Sequence, residues 1–242
     1  MTHYQSIVDT DGAFTGMEAL LRWQPPGQPI RPAYQFILEA ERSGLIAELG
    51  KVTIQAAIRD TAALIDAGLW PDRAICTINL SPSQLARPDI VSDITAALEH
   101  RQLPAPTIGL EITESVVLDN DPEALRRLGQ LRDLGCPVLI DDFGTGYASM
   151  SYLHRISVDG IKLDRTFVQG ARDNPIDSAI IASQISLASL LDLTVIAEGV
   201  EDAREFETLH RRGCRRFQGY LFARPSPIDT IRDQLRTPAA TR

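Results

Sequence analysis

The sequence predicts an α/β fold, a TIM-like (β/α)8 barrel with an antiparallel first strand. Eight short apolar runs with strand character recur along the 242 residues, and helix-compatible segments separate most of them. Alternation of strands and helices is typical of βαβ units and a largely parallel sheet. Eight such units with nearly continuous apolar strands favour closure into a barrel, for which 242 residues is an ordinary length.

The first two predicted strands, YQSIV (4–8) and MEALLRW (17–23), are separated by DTDGAFTG, which is too short for a crossover helix. We therefore expect these two strands to form an antiparallel hairpin. The other predicted strands are AICTINL (74–80), TIGLEI (107–112), VLIDD (138–142), GIKLD (160–164), TVIAEG (194–199) and RRFQGYLF (215–222).

Start and stop signals mark the helices between these strands. The segment 121–135 begins with Asp-Pro and ends at Gly, and the segment 200–213 also ends at Gly before the next apolar run. The long apolar stretch 176–193 is interrupted by Ser, Gln and Asp. It predicts a mostly buried helix and not a transmembrane one.

Composition excludes several classes of function. The formal charge is 24 − 32 = −8, which argues against a broad surface for duplex nucleic acid. The cysteines Cys76, Cys136 and Cys214 lie in or beside apolar runs without CxxC spacing, which predicts reduced core thiols in a cytoplasmic protein. No zinc motif, P-loop, signal peptide or membrane span is present in the sequence.

Acidic or amide side chains occur at or near the C-terminal ends of the predicted strands. In a parallel barrel these ends meet at one mouth, where catalytic residues collect. A single Asp or Glu at such a place is more often a helix cap, a turn or a surface charge, but the whole set favours a functional site. The acidic and amide residues of the set are Glu18, Asn79, Glu111, Glu114, Asp141, Asp142, Asp164, Glu198, Glu201 and Gln218. The basic residues Arg22 and Lys162 lie on the same strands as Glu18 and Asp164.

Carboxylates that converge on one mouth repel one another unless cations compensate them. Oxygen ligands without His or Cys suit Mg²⁺ or Mn²⁺. The adjacent Asp141 and Asp142 suit two metals, with Asp141 bridging them, and two metals about 3.5–4 Å apart are the usual apparatus for phosphoester cleavage by an activated water. The stretch VLIDDFGTG (138–146) therefore predicts metal ligands, although Asp and Gly also occur in plain turns.

Seven motifs in this order resemble the EAL domain of bacterial cyclic-di-GMP phosphodiesterases: MEALLRW, INLS, EITES, DDFGTGYAS, KLDR, AEGVE and QGYLF. The resemblance extends from Tyr4 to about Pro227. It implies the barrel with a reversed first strand and the hydrolysis of one 3′ ester of cyclic-di-GMP to linear pGpG. The main departure is YQSI in place of YQPI, which puts Ser6 where the family has proline.

The resemblance also implies roles for the residues at the mouth. Mg²⁺ or Mn²⁺ would occupy two sites, and Ca²⁺ would inhibit. One metal would be held by Glu18, Asn79, Glu111 and Asp141, and the other by Asp141, Asp142 and Glu198. Glu198 would serve as a metal ligand or as the general base, and Lys162 would orient the attacking water; with Glu18 these are the expected catalytic residues.

The substrate and the regulatory loop follow from the same resemblance. Cyclic-di-GMP would be contacted by Gln5, Leu21, Arg22, Asp164, Glu201 and Gln218. Glu114 would anchor a loop that contains Phe143, Gly144, Thr145 and Gly146 and lies at a homodimer contact; the alternative is a plain flexible turn. We expect residues 1–242 to form a single EAL-type domain, a fragment of a larger cytoplasmic regulatory protein with an upstream sensory or GGDEF-type domain; membrane attachment would come only through such upstream regions.

Two other functions compete with the enzyme. A cyclic-di-GMP receptor would keep the fold and bind without turnover, but such family members usually lack some ligand or loop motifs, and the sequence shows no such gap. A barrel enzyme that acts on another phosphoester is the weaker alternative.

Overall fold

The structure is a computed structural model, and it describes residues 1–118, 121–145 and 157–237 of the chain. Within these ranges, no helix is both long and apolar enough to cross a membrane.

Among the described residues there are nine strands, and eight of them close into a barrel in the order β1-β2-β4-β5-β6-β7-β8-β9. Strand β1 runs antiparallel to both of its neighbours, β2 and β9, and the other barrel pairs are parallel. The predicted fold and its reversed first strand are therefore confirmed. The strands are β1 Thr2–Val8, β2 Phe14–Trp23, β3 Arg31–Pro32, β4 Ile75–Asn79, β5 Ile108–Thr113, β6 Val138–Phe143, β7 Gly160–Leu163, β8 Thr194–Ala197 and β9 Arg216–Phe217.

Helices surround the barrel and supply the crossovers between parallel strands. They are α1 Ile37–Arg42, α2 Ile46–Asp66, α3 Pro82–Leu85, α4 Ile90–Arg101, α5 Glu114–Leu118, α6 Pro122–Asp133, α7 Arg165–Gly170, α8 Pro175–Leu190, α9 Ala203–Arg211 and α10 Ile228–Arg236. Asp121 and Asp202 cap α6 and α9 by accepting backbone N–H bonds, and the Asp-Pro start signal of α6 is confirmed. The helix expected over 176–193 ends at Leu190 and is half-exposed, because only its inner face contacts the barrel.

Two features of the sheet differ from the prediction. The short strand β3 pairs with the end of β2, where no strand was expected. The run RRFQGYLF (215–222) forms a strand only over Arg216–Phe217, so the predicted extent of this strand was wrong. The chain turns after Phe217, because Gly219 packs directly on the backbone of Val200, where an added Cβ would lie 2.0 Å from the carbonyl oxygen.

Layers of side chains from alternate strands fill the barrel, as in other α/β barrels. The lower layer is a separate apolar cluster made of Ile7, Ile75, Leu139 and Ile196. Side chains alternate between the two faces of a strand, so the residues two positions nearer the mouth also point inward. These residues are polar: Gln5, Thr77, Asp141 and Glu198. The barrel therefore changes from an apolar floor to a polar mouth within one layer.

The main hydrophobic core lies between the outer faces of the strands and the helices. Its members include Cys76, Cys136 and Cys214, all of which are buried and free of disulfide bonds. The expectation of core thiols is confirmed by their burial.

Candidate active site

A buried ammonium group lies at the centre of the mouth. Lys162 of β7 is completely buried, and the chain contains only one other lysine, Lys51. The Lys162 Nζ lies 2.8 Å from Glu111 Oε1, 3.2 Å from Glu18 Oε2 and 3.7 Å from Asp141 Oδ1. It also forms an ion pair with Glu198, which directly follows β8. Carboxylates from four different parts of the chain thus converge on one cation.

Amide side chains hold Glu18 in place. Asn79 Nδ2 donates to Glu18 Oε1 at 2.7 Å, and Gln218 Nε2 donates to Glu18 Oε2 at 2.6 Å. Gln218 Nε2 also lies 3.1 Å from Gln5 Oε1, and Gln5 is the residue directly opposite Glu18 in the β1–β2 hairpin. Strand β4 and the segment after β9 thus hold the Glu18 carboxylate directly, and β1 supports it through Gln218.

One ammonium cannot neutralise all of these carboxylates, and their pKa values diverge. Burial alone would raise the pKa of Glu18, but Lys162 and the two amides more than offset it, and the pKa falls below its ordinary value. Burial and the charge of Glu18 raise the pKa of Glu111 well above its ordinary value. Burial raises the pKa of Glu198 to about 8 despite the opposing effect of Lys162. Burial opposes the charge of Lys162, but the surrounding carboxylates keep its pKa well above the ordinary value.

A β-bulge in β6 lies at the two adjacent aspartates. Ile140 pairs with Ile161 and Phe143 pairs with Leu163, so Asp141 and Asp142 together lie opposite the single residue Lys162. A bulge re-aims side chains that would otherwise point to opposite faces of the sheet. Asp142 takes φ +51°, in the left-handed region, and one ligand atom from each of Asp141, Asp142 and Glu198 lies within 4.8 Å of the others.

The donor set fits a hard divalent cation. Every candidate ligand is a carboxylate or amide oxygen, the type that Mg²⁺ and Mn²⁺ prefer. Glu111 Oε2 is buried and accepts no hydrogen bond from any residue that the structure describes. Burial and the neighbouring Asp141 raise the pKa of Asp142 to about 7. These carboxylates lack enough positive charge around them, which a bound cation would supply.

The expected substrate residues lie around this centre with different exposures. Arg22 is half-buried, its Nη1 donates to the Leu21 carbonyl at 2.9 Å, and burial lowers its pKa. Asp164 caps α7 by accepting the Thr166 N–H at 2.9 Å. Glu201 is exposed. Gln5 and Gln218 belong to the Glu18 network described above, and the substrate roles of all these residues stay predictions.

The loop after β6 is held at its start. Glu114 is buried and accepts the Gly144 N–H, and Gly144 takes φ +97°. Thr145 Oγ1 donates to the Asp142 carbonyl at 2.9 Å. Phe143 is buried, and Gly146 lies outside the described residues. The regulatory role of this loop stays a prediction.

Sequence reasoning missed one residue that contacts this loop. Gln184 of α8 donates from Nε2 to the Phe143 carbonyl at 2.7 Å. The signal is present in the sequence, because a glutamine interrupts the apolar stretch 176–193, but an interruption alone does not indicate which residue the side chain contacts.

Comparison with known proteins places the chain in a family. A family model for the EAL domain matches residues 1–225. Cyclic di-GMP phosphodiesterase PdeR of Escherichia coli is 39% identical over 228 residues, which are 93% of this chain and 34% of that protein. Cyclic di-GMP phosphodiesterase NbdA of Pseudomonas aeruginosa is 37% identical over 235 residues, which are 97% of this chain and 30% of that protein.

A solved structure described as "PaMucR Phosphodiesterase, c-di-GMP complex" superposes with a TM-score of 0.90 at 35% identity, covering 96% of this chain and 93% of that one. The chain spans about a third of the length of the curated relatives named above. From the match over residues 1–225 and from this structural similarity, the chain belongs to the EAL domain family.

Proposed function

We propose that this domain hydrolyses cyclic-di-GMP to linear pGpG with the help of two divalent cations. The observation that carries the proposal is the convergence of Glu18, Glu111, Asp141 and Glu198 on the buried Lys162 at the barrel mouth. The names of two relatives, both cyclic di-GMP phosphodiesterases, support the choice of substrate. So does the similar structure in complex with c-di-GMP.

The two cations would use the oxygen ligands of the mouth. One would be held by Glu18, Asn79, Glu111 and Asp141, and the other by Asp141, Asp142 and Glu198. When bound, a pair of Mg²⁺ or Mn²⁺ ions supplies Lewis-acid activation of water and of the phosphoryl oxygens. The bulge in β6 places both aspartates opposite Lys162, where Asp141 would serve both cations and Asp142 the second one.

The chain's own residues would orient the reactants and handle the proton. Lys162 keeps its charge because carboxylates surround it, so it can donate a hydrogen bond to the attacking water. Glu198, whose carboxylate pairs with Lys162 beside Asp141 and Asp142, would accept the proton of that water as general base or hold the second cation. Arg22 carries a planar fork that suits two phosphate oxygens. With a net charge of −8, the domain would attract an anionic substrate through such local cations.

A product assay tests this proposal. Protein stripped of metal with EDTA is incubated with cyclic-di-GMP, with and without Mg²⁺, and the products are separated by chromatography. We expect pGpG only in the presence of Mg²⁺, and no product from Asp141→Asn under the same conditions. Binding without product over hours would contradict the enzyme and support the receptor. Parallel incubation with cyclic-di-AMP tests the alternative phosphoester, because equal turnover of both would contradict the proposed specificity.

The assembly around this domain stays a prediction. The homodimer and the upstream domain expected from the family resemblance concern surfaces and segments beyond the described mouth. Size-exclusion chromatography with light scattering would measure the oligomeric state directly.

A further inference from the structure

We propose that Gln184 of α8 is a positioning residue that keeps Asp142 turned toward the cation site. This inference rests on the proposed metal-dependent function and adds a residue that contacts neither metal nor substrate. It concerns the turn at residues 142–144, where β6 ends.

Gln184 is a buried polar residue on an apolar helix face. The other buried residues of α8 are Ile181, Ile185 and Ala188, and Gln184 is only 7% exposed. Its Nε2 donates to the Phe143 carbonyl at 2.7 Å, whereas its Oε1 has no hydrogen-bond donor among the residues described. Burial of an amide costs free energy unless hydrogen bonds compensate it. Among the described residues, the hydrogen bond to the Phe143 carbonyl is the one that compensates the burial of this amide.

The bond reaches the backbone just after a strained residue. Asp142 takes φ +51°, which is uncommon for a residue with a Cβ and persists only where the surroundings hold it. Gly144 allows the contact, because an added Cβ would lie 2.0 Å from Gln184 Nε2. Glu114 accepts the Gly144 N–H from another part of the chain. Two side chains from different helices, α5 and α8, thus fix the turn.

Loss of the Gln184 bond would leave the peptide between Phe143 and Gly144 held, among the described residues, by Glu114 alone. A shift of that peptide would be passed through Phe143 to Asp142, whose left-handed conformation depends on its surroundings, and would move the Asp142 carboxylate away from Asp141 and Glu198, with which it now clusters. Partners that orient metal ligands typically account for about 10–100-fold in metal affinity. We expect a loss of this size at the site that uses Asp142.

The test uses Gln184→Met, which keeps the chain length of glutamine and removes the donor. The matched control is Gln234→Met on the exposed face of α10. Mn²⁺ affinity of metal-free protein is measured by calorimetry, and urea unfolding in EDTA reports the fold. We expect Gln184→Met to unfold cooperatively and to bind Mn²⁺ about 10–100-fold more weakly than the parent, with Gln234→Met unchanged. Gln184→Leu, which also removes the donor and is a better helix former, gives the same measurement if the methionine variant does not fold.

The outcomes separate this inference from the proposed function. Mn²⁺ affinity within twofold of the parent in a folded Gln184 variant would overturn the positioning role and leave the metal site intact. A parent that binds no Mn²⁺ and makes no pGpG would overturn the proposed function itself.

Discussion

Replacement of Lys162 by methionine removes the ammonium that four carboxylates share, two of which, Glu18 and Glu111, are buried. Breaking a buried ion pair by removing one partner costs about 3–5 kcal/mol, because the remaining charge is buried without compensation. For a domain of this size, each kcal/mol lowers Tm by about 2–4 °C, so the expected fall is roughly 6–20 °C in the absence of metal.

The loss should depend on pH in a defined direction. The pKa values of Glu111 and Glu198 are raised in the fold, and that of Glu198 lies at about 8. At pH 5.5 Glu198 is largely protonated, and the raised pKa of Glu111 shifts its protonation in the same direction, so both carboxyl groups need the ammonium less than at pH 8. The destabilisation by Lys162→Met should therefore be larger at pH 8 than at pH 5.5.

Urea unfolding in EDTA at both pH values measures this effect. Lys51→Met is the matched control, because Lys51 is 41% exposed and lies 3.6 Å from Asp93 in a surface ion pair worth about 0–1 kcal/mol. Equal stability of the two variants at pH 8 would refute the reasoning. In the presence of Mg²⁺ and substrate, Lys162→Met should lower kcat by at least about 100-fold and change KM much less.

Three further predictions concern the cations. Glu18→Gln and Asp141→Asn should each weaken Mn²⁺ binding, measured by calorimetry, and lower kcat in the pGpG assay by at least about 100-fold. The control Glu99→Gln, at an exposed position, should change neither quantity. The pKa values of Asp142 and Glu198 lie at about 7 and about 8, so protons compete with the metal for these carboxylates. Mg²⁺ affinity should therefore rise as the pH increases from 6 to 8, and binding should release protons. Calorimetry in buffers of different ionisation enthalpy measures the released protons, and a pH-independent affinity would contradict the prediction. Ca²⁺ should displace Mg²⁺ but support little pGpG formation, since its coordination is looser; undiminished turnover in Ca²⁺ would be the contrary result.

Local patterns predicted the barrel and most of its mouth. Apolar runs separated by helices predicted the alternating strands and helices of the barrel, and the polar residues at strand ends predicted the carboxylates that surround Lys162. These features depend on short stretches of sequence and on the rule that parallel strands end at one mouth. The hairpin of β1 and β2 was predictable because DTDGAFTG is too short for a helix.

Features set by distant parts of the chain were not predictable in the same way. The bulge at Asp141 depends on how β6 pairs with β7, and the sequence of β6 alone reads as a regular strand end. The end of β9 at Phe217 depends on the approach of Val200 to Gly219. The contact of Gln184 with Phe143 joins residues 41 positions apart.

The central claim is that the carboxylates at the barrel mouth hold two cations between them. Anomalous diffraction from a crystal soaked in Mn²⁺ tests it most directly. We predict two anomalous peaks at the mouth, one bounded by Glu18, Asn79, Glu111 and Asp141 and the other by Asp141, Asp142 and Glu198. A map without peaks among these side chains, in crystals that bind Mn²⁺ elsewhere, would contradict the account.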